Sequence, residues 1–148
     1  MSKVPENLWR GVLVEDFPSG VVIEDKPAEG ILYPDFVRKP IGKSRDGSTR
    51  YRNPDVEVVN GKVQPGGGTS LFNKDKFFKG NKWQFFYIPE GTEIDPDLRL
   101  AGPEYNARFE ANHYMIEVKK PLFINSYKGA LDNLARAAIA KAYEDARK

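Results

Sequence analysis

The 148-residue sequence contains no cysteine and a single histidine. The lack of cysteine excludes disulfide bonds, cysteine nucleophiles and thiolate zinc sites, and one histidine cannot supply a multi-histidine metal site. No apolar run approaches the roughly 20 residues that a transmembrane helix needs. The N-terminal sequence MSKVPENLWRG lacks the apolar stretch of a signal peptide. We therefore expect a soluble protein without metal or membrane contact, able to work in a reducing cytoplasm.

The sequence also has little net charge, because 23 basic residues oppose 21 acidic ones. A net charge of +2 is too small to argue for nucleic-acid binding by itself. The charge is uneven, however, since residues 38–52 contain one acid, Asp46, and six basic residues: Arg38, Lys39, Lys43, Arg45, Arg50 and Arg52. Two interpretations stay open for this segment, a solvated basic loop or a surface for an acidic partner or anionic ligand.

The remaining composition is that of a folded domain. Hydrophobic residues make up 40% of the chain and aromatic residues 12%, which is typical of globular proteins. The length fits one domain, and no repeat or linker divides it, so residues 1–148 are expected to form a single domain. Strand patterns come first and a helical pattern comes last, which indicates an α+β fold of short β-strands with a C-terminal α-helix.

Several segments carry local structural signals. β-rich patterns predict strands over residues 8–14, 21–23, 69–72, 82–88, 98–101 and 113–120. Asn60-Gly61 predicts a hairpin turn in the otherwise irregular segment 24–65. Residues 74–79 are expected to make one helical turn, and residues 102–112 are ambiguous between helix and irregular chain. Helical spacing in the C-terminal segment is carried by Leu131, Leu134, Ala135, Ala138 and Ala142.

The stretch QPGGGTSLF places three glycines, Gly66 to Gly68, directly before Thr69 and Ser70. Glycine serves either as a flexible bend or as bare backbone that a ligand can approach closely. The stretch lacks the lysine of a P-loop and the spacing of a dinucleotide fingerprint. Hydroxyl groups at the start of a strand are nevertheless well placed to hold a sugar or an amide.

Arg10 lies inside the apolar run LWRGVLV, where a charge is uncommon because a buried guanidinium needs an acceptor. It could lie on the wet face of an edge strand or pair with a carboxylate. It could equally grip a phosphate through two parallel hydrogen bonds. Gly11 beside it would let a ligand approach the backbone.

His113 is the only histidine of the chain, and histidine is the side chain whose ordinary pKa lies closest to neutral pH. Strand alternation places it on one face with Met115 and Glu117, whereas Glu110 lies near it only if the intervening chain is compact. Each of these side chains could also be an ordinary structural or surface group. The aromatic residues of strand 82–88 suggest base stacking, or simply a core.

An arginine on the first strand, a Gly-Thr-Ser strand opening and a polar residue on a late strand together resemble the ADP-ribosyltransferase pattern. The closer resemblance is to a small interbacterial toxin family that is delivered by type VI secretion and has an ADP-ribosyltransferase-like fold. It rests on LWRGV, GGTSLF, IPEGTEIDPDLRL, YNARFEANHYMI and LDNLARAAIAKA, and it covers the chain well from about residue 66 onward.

The resemblance implies NAD as the nucleotide and a role for each matched residue. Arg10 would hold the NAD phosphates, while Thr69 and Ser70 would shape the ribose pocket. His113 or Glu110, with Glu117 as a weaker candidate, would support the ribose as nicotinamide leaves. No two glutamates lie two residues apart, so the usual Glu-x-Glu motif is absent, as it is from this toxin family.

The resemblance further implies a cytotoxic effector that arrests the growth of target cells. It would reside in the cytoplasm of the producer and, after delivery without a cleaved signal, in that of the target cell. Its expected partners are a cognate acidic immunity protein, a component of the secretion apparatus and a macromolecular target in the recipient. Two alternatives remain, an NAD glycohydrolase toxin and a non-catalytic nucleic-acid-binding domain.

Overall fold

The structure, a computed structural model, describes residues 2–147. These residues form one helix, α1 (Ile124–Ala146), and a set of short strands. No helix among them is long and apolar enough to cross a membrane. The strands are β1 (Leu8–Leu13), β2 (Val22–Ile23), β3 (Lys26–Pro27), β4 (Lys39–Lys43), β5 (Thr49–Arg52), β6 (Val58–Val59), β7 (Lys62–Val63), β8 (Thr69–Phe72), β9 (Trp83–Ile88), β10 (Leu98–Asn106), β11 (Ala111–Val118) and β12 (Leu122–Phe123).

The central sheet has five strands in the order β10-β11-β8-β1-β9, and neighbouring strands are antiparallel. β1 pairs with β9 along its full length, from Leu8 opposite Ile88 to Leu13 opposite Trp83. With β8, however, it pairs only where Trp9 lies opposite Phe72. The two central strands therefore diverge beyond this point and leave room between them.

The main core lies between the sheet and α1. The helix buries Tyr127, Ala130, Leu131, Leu134, Ala135 and Ala138. From the sheet, β1 contributes Leu8 and Val12 to the same cluster. Because side chains alternate along a strand, Arg10 shares this face of β1. The chain therefore has the predicted α+β organisation.

A second, aromatic cluster covers the opposite face of the sheet. It consists of Phe72, Phe77 and Ala111, with Trp9, Phe78, Phe85 and Phe109 packed against it. Gly11 lies under this cluster, and a Cβ atom there would stand 2.9 Å from the Phe78 ring. The absence of a side chain at Gly11 thus lets the aromatic cluster approach β1 closely.

Most of the predicted elements are confirmed. The turn residues Asn60 and Gly61 both have positive φ, 52° and 76°, as a type I′ turn requires. The helical turn predicted over residues 74–79 is wrong, because the segment follows turns and bends with Lys76 at a φ of 55°. The strand predicted over 98–101 continues to Asn106, which resolves most of the ambiguous segment 102–112 as strand and turn.

The β4–β5 hairpin lies in the segment expected to be irregular and was not predicted. Lys39 lies opposite Arg52 and Lys43 opposite Thr49, with an irregularity between Pro40 and Gly42. All residues of both strands are exposed. An exposed hairpin needs no alternating apolar pattern, which is why periodicity did not reveal it.

Candidate functional site

A cleft of about 820 Å³ lies where β1 and β8 diverge. Arg10, Gly11 and Val12 line it from β1, and Ser70 and Phe72 line it from β8. The remaining wall comes from the end of β1 and the loop after it, the loop before β4, the base of the β4–β5 hairpin, the aromatic cluster and α1. Its residues are Leu13, Glu15, Asp16, Phe17, Gly30, Ile31, Tyr33, Pro34, Asp35, Phe36, Lys39, Pro40, Ile41, Arg52, Asp55, Phe77, Phe78, Trp83, Phe109 and Lys128. The space is large enough for a small-molecule ligand.

Arg10 is a charged residue of the cleft lining. Its Nη2 atom donates a hydrogen bond to the backbone oxygen of Tyr33 at 3.2 Å. Its Nε atom is buried and has no partner among residues 2–147. Burial lowers the pKa of Arg10, while the charges of Asp55 and Asp35 oppose that shift. A guanidinium stays charged in proteins, so Arg10 places a positive charge in the cleft wall, while its buried Nε–H has no acceptor among residues 2–147.

Asp35 and Asp55 form a carboxylate pair beside Arg10. The backbone N–H of Asp35 donates to a carboxylate oxygen of Asp55 at 2.7 Å, and the N–H of Asp55 donates to the backbone oxygen of Asp35 at 2.8 Å. Lys39 lies 2.7 Å from Asp35, and Arg52 lies 3.3 Å from Asp55. The pair therefore joins the loop before β4 to the chain after β5 and neutralises the cations at the base of the hairpin.

Thr69 and Ser70, which are both expected to shape the ribose pocket, have different environments. Thr69 is fully buried, and its hydroxyl donates to the backbone oxygen of Leu32 at 2.5 Å. Ser70 is half-buried and lines the cleft. Ser70 and Arg10 thus both line the cleft, Ser70 from the face of the aromatic cluster and Arg10 from the face of α1, whereas Thr69 holds the loop that forms the cleft wall.

The glycines before Thr69 pack against protein rather than a ligand, so the bare-backbone expectation is wrong for two of them. A Cβ atom on Gly67 would stand 2.2 Å from the backbone oxygen of Asp55, and one on Gly68 would stand 1.8 Å from that of Ile116. Gly66 has open space around it and a φ of +106°. Glycine is needed at 67 and 68 because neighbouring backbone occupies the place of a side chain.

Tyr33 connects Arg10 to a second cation in the cleft. Its hydroxyl donates to Asp132 of α1 at 2.8 Å, and burial together with this hydrogen bond raises its pKa to about 12. The ammonium of Lys128 lies 5.3 Å from the centroids of both the Tyr33 and the Phe36 rings, within cation–π range. No ion pair among residues 2–147 includes Lys128. Lys128 is therefore available to an anion.

His113 lies next to the cleft rather than in its lining. It pairs with Phe72 across β8 and β11, and the two ring centroids are 5.0 Å apart. Burial lowers the pKa of His113, and the nearby charge of Glu104 opposes the shift. The imidazole is therefore neutral at pH 7 and can donate or accept a hydrogen bond.

The two glutamates considered at the sequence level lie elsewhere. Glu110 is exposed in the turn between β10 and β11, with a φ of 52°, directly after the cleft residue Phe109. Glu117 is buried on β11 and forms an ion pair with Arg99. The carboxylate opposite His113 in the sheet is that of Glu104. The structure thus brings neither Glu110 nor Glu117 against His113.

Sequence analysis missed five charged residues of the cleft: Glu15, Asp16, Asp35, Asp55 and Lys128. Asp35 and Asp55 directly follow a proline, Pro34 and Pro54. Pro-Asp is a turn signal, and this was the available hint that the two segments are ordered. No local pattern distinguishes Lys128 from other helical lysines.

A second depression, of about 860 Å³, lies beside Trp9, Trp83 and Tyr87. Neither Arg10 nor Ser70 lines it. Among residues 2–147 no cluster of three or more histidine, aspartate or glutamate side chains could hold a metal ion. The cleft between β1 and β8 is therefore the candidate site.

The α+β organisation, with short strands and one C-terminal helix, is that of an ADP-ribosyltransferase-like fold. The family model described as "Tse2 ADP-ribosyltransferase toxin" matches residues 2–143, and the chain belongs to this family. The predicted toxin family and its ADP-ribosyltransferase-like fold are thereby confirmed.

One relative is the protein named Toxin Tse2 from Pseudomonas aeruginosa strain PAO1. It is 41% identical to this chain over 81 residues, which cover 55% of the chain and 51% of the relative. The aligned part of the chain therefore spans about half the length of this curated relative.

Proposed function

We propose that the protein is a toxin that binds NAD in the cleft between β1 and β8 and breaks the bond between nicotinamide and ribose. The observation that carries this proposal is the buried, unpartnered Nε of Arg10 in a cleft that Ser70 also lines. The family to which the chain belongs supports NAD as the substrate.

Arg10 fits the pyrophosphate of NAD. One guanidinium nitrogen is fixed by the Tyr33 carbonyl, and this hydrogen bond orients the group without occupying Nε. A charged donor held by the protein binds a phosphate more strongly than a mobile one, because less side-chain freedom is lost on binding. Lys128, on the helix side of the cleft, supplies a second positive charge.

Ser70 is proposed to contact the nicotinamide ribose, and Thr69 to act through the loop that it holds. As nicotinamide leaves, positive charge develops on the ribose, and hydrogen bonds to the ribose hydroxyls stabilise that state. His113 and Glu110 are the proposed sources of this support. His113 packs on Phe72, and Glu110 follows Phe109, so each adjoins an aromatic residue of the cleft.

The proposed reaction is a transfer to a macromolecule of the recipient cell. The C1′–N bond of the nicotinamide ribose breaks, and neutral nicotinamide leaves with the electron pair. A nucleophilic atom of the acceptor forms the new bond to C1′ and loses its proton to water. If water itself is the nucleophile, the protein is an NAD glycohydrolase.

We further propose that the toxin arrests growth in the cytoplasm of a recipient cell after delivery by a type VI secretion apparatus, and that a cognate acidic immunity protein neutralises it in the producer. The six basic residues in segment 38–52 support an acidic partner, because complementary charge accelerates association. A protein seated on this segment would also cover the cleft, whose rim includes Lys39 and Arg52.

The proposal is tested by expressing the wild type, Ser70→Ala and Ser126→Ala from a tightly repressed promoter. Ser126 is an exposed helical serine and serves as the matched control. Growth arrest by the wild type and by Ser126→Ala, but not by folded Ser70→Ala, would support the site. Falling NAD without a modified macromolecule would identify hydrolysis, and labelling from tagged NAD would identify transfer. Equal arrest by all three proteins would refute the role of Ser70.

A further inference from the structure

The β4–β5 hairpin is an exposed basic arm of the molecule. Its two strands pair with each other and with no other strand among residues 2–147. Every residue of both strands is exposed. The arm, residues 38–52, carries six basic residues and one acid, Asp46, whose carboxylate accepts hydrogen bonds from the backbone N–H and the hydroxyl of Ser48. The Asp46 carboxylate therefore stabilises the turn between the two strands.

The cations at the base of the arm are neutralised, whereas those further out are not. Lys39 and Arg52 pair with the Asp35–Asp55 carboxylates. None of the ion pairs among residues 2–147 includes the other four, Arg38, Lys43, Arg45 and Arg50. These four side chains form a local positive surface although the whole chain has a net charge of only +2.

An aromatic ring is exposed within the same surface. The Tyr51 side chain is 47% exposed, and the Arg38 guanidinium lies 4.0 Å from the centroid of its ring. Ile41 beside it on β4 is 56% exposed. An arginine stacked on an exposed aromatic ring presents a flat surface on which a nucleotide base can stack, and the surrounding cations can hold phosphates.

The arm begins at the mouth of the cleft. Lys39, Pro40, Ile41 and Arg52 line the cleft, while the turn at residues 44–48 does not. A polymer bound along the arm would therefore reach the space between β1 and β8 that Arg10 and Ser70 line.

We propose that the β4–β5 arm binds single-stranded nucleic acid and presents it to the cleft as the acceptor. The acceptor role rests on the proposed function, whereas the binding does not. In the transfer, an oxygen or nitrogen atom of the nucleic acid bonds to C1′ of the ribose, nicotinamide leaves with the electrons of the broken C–N bond, and the acceptor proton passes to water. The Arg38–Tyr51 stack favours nucleic acid, because a base can stack on the exposed ring while the surrounding cations hold the phosphates.

The binding is tested by fluorescence anisotropy with a short, labelled, mixed-sequence single-stranded RNA over a range of salt concentrations. We expect measurable binding by the wild type and about tenfold weaker binding by the triple variant K43Q/R45Q/R50Q. The slope of log affinity against log salt should fall by about 2 if each lost cation contacts one phosphate of the single strand. The control K26Q/K119Q/K120Q removes three exposed lysines elsewhere and should bind like the wild type.

A second comparison identifies the class of ligand. Tyr51→Leu should weaken RNA binding about fivefold to tenfold, as expected for loss of base stacking, and should not change binding of polyglutamate. Absence of RNA binding by the wild type, equal losses in the two triple variants, or polyglutamate binding as tight as RNA binding would overturn the proposal.

NAD titration of the same proteins separates this inference from the proposed function. Lys43, Arg45 and Arg50 do not line the cleft, so the triple variant should bind NAD like the wild type. RNA binding without NAD binding would refute the proposed function and leave the docking arm in place. NAD binding without RNA binding would refute the docking arm and leave the proposed function in place. If the wild type binds both NAD and RNA, it should label the RNA from tagged NAD, and the triple variant should label it much less. Equal labelling by the two proteins would refute the acceptor role.

Discussion

Thr69 and Ser70 are neighbours in the chain, but their side chains lie on opposite faces of β8. The Thr69 hydroxyl donates to the carbonyl of Leu32 inside the core, and Ser70 lines the cleft. Leu32 directly precedes Tyr33, whose carbonyl accepts the hydrogen bond of Arg10. One hydroxyl thus positions the wall that orients the arginine, and the other is available to a ligand.

Because the two hydroxyls have different environments, their removal should have different effects. Thr69→Val leaves the Leu32 carbonyl buried without its donor and should lower the free energy of unfolding by about 1–3 kcal/mol. Ser70→Ala should change the free energy of unfolding by less than about 0.5 kcal/mol, yet abolish toxicity. Urea unfolding of both variants measures the difference. Equal destabilisation would show that Ser70 is also structural.

Gly68 should tolerate no side chain. A Cβ atom there would overlap the carbonyl oxygen of Ile116, so Gly68→Ala should lower the free energy of unfolding by more than about 3 kcal/mol. Gly129→Ala is the matched control, because its helical site is open and alanine favours helix by up to about 1 kcal/mol. Thermal denaturation of the two variants should show opposite shifts, and a wild-type melting temperature for Gly68→Ala would contradict the packing.

Lys128 should contribute to the affinity for NAD through the pyrophosphate. Lys128→Gln is expected to weaken NAD binding about tenfold, since a hydrogen bond to a charged group contributes roughly 1.5–3 kcal/mol. Binding of nicotinamide riboside, which lacks the pyrophosphate, should not change. Arg136→Gln, an exposed cation on the same helix, is the control. Calorimetric titration measures the affinity of each variant for both ligands. Equal losses of affinity for NAD and for nicotinamide riboside would show that Lys128 does not act on the phosphates.

His113 should make the protein less stable in mild acid. Burial lowers its pKa below the ordinary value of 6.5, so the unfolded chain binds more protons at this residue than the folded one. Its contribution to stability is therefore complete above pH 6.5 and decreases as the pH falls towards the folded pKa. His113→Gln should show a smaller loss of melting temperature between about pH 7 and pH 5. An unchanged profile would show that other groups cause the acid sensitivity.

The elements that bear the site could be predicted because their signals are local. β-rich runs identified β1 and β8, and helical spacing of apolar residues identified α1. The family resemblance then indicated Arg10 and Ser70. Alternation also shows that Thr69 and Ser70 face opposite ways, but which face meets the core depends on the helix and on the loop that covers it.

The rest of the site depends on contacts between distant segments. The Asp35–Asp55 pair joins residues 20 positions apart, and Thr69 reaches Leu32 across 37. Neither contact has a periodic signature, because each fixes a loop through one or two hydrogen bonds to a distant residue. The packing role of Gly67 and Gly68 could not be predicted for the same reason, since the atoms that exclude a Cβ belong to Asp55 and Ile116.

The NAD site is tested most directly by calorimetric titration of NAD into the purified wild type, Ser70→Ala and Ser126→Ala, with folding checked by circular dichroism. We expect saturable binding by the wild type and Ser126→Ala, and binding at least about tenfold weaker by Ser70→Ala because one good ligand contact is lost. If the folded wild type does not bind NAD, or if Ser70→Ala binds it equally well, the cleft between β1 and β8 is not the NAD site.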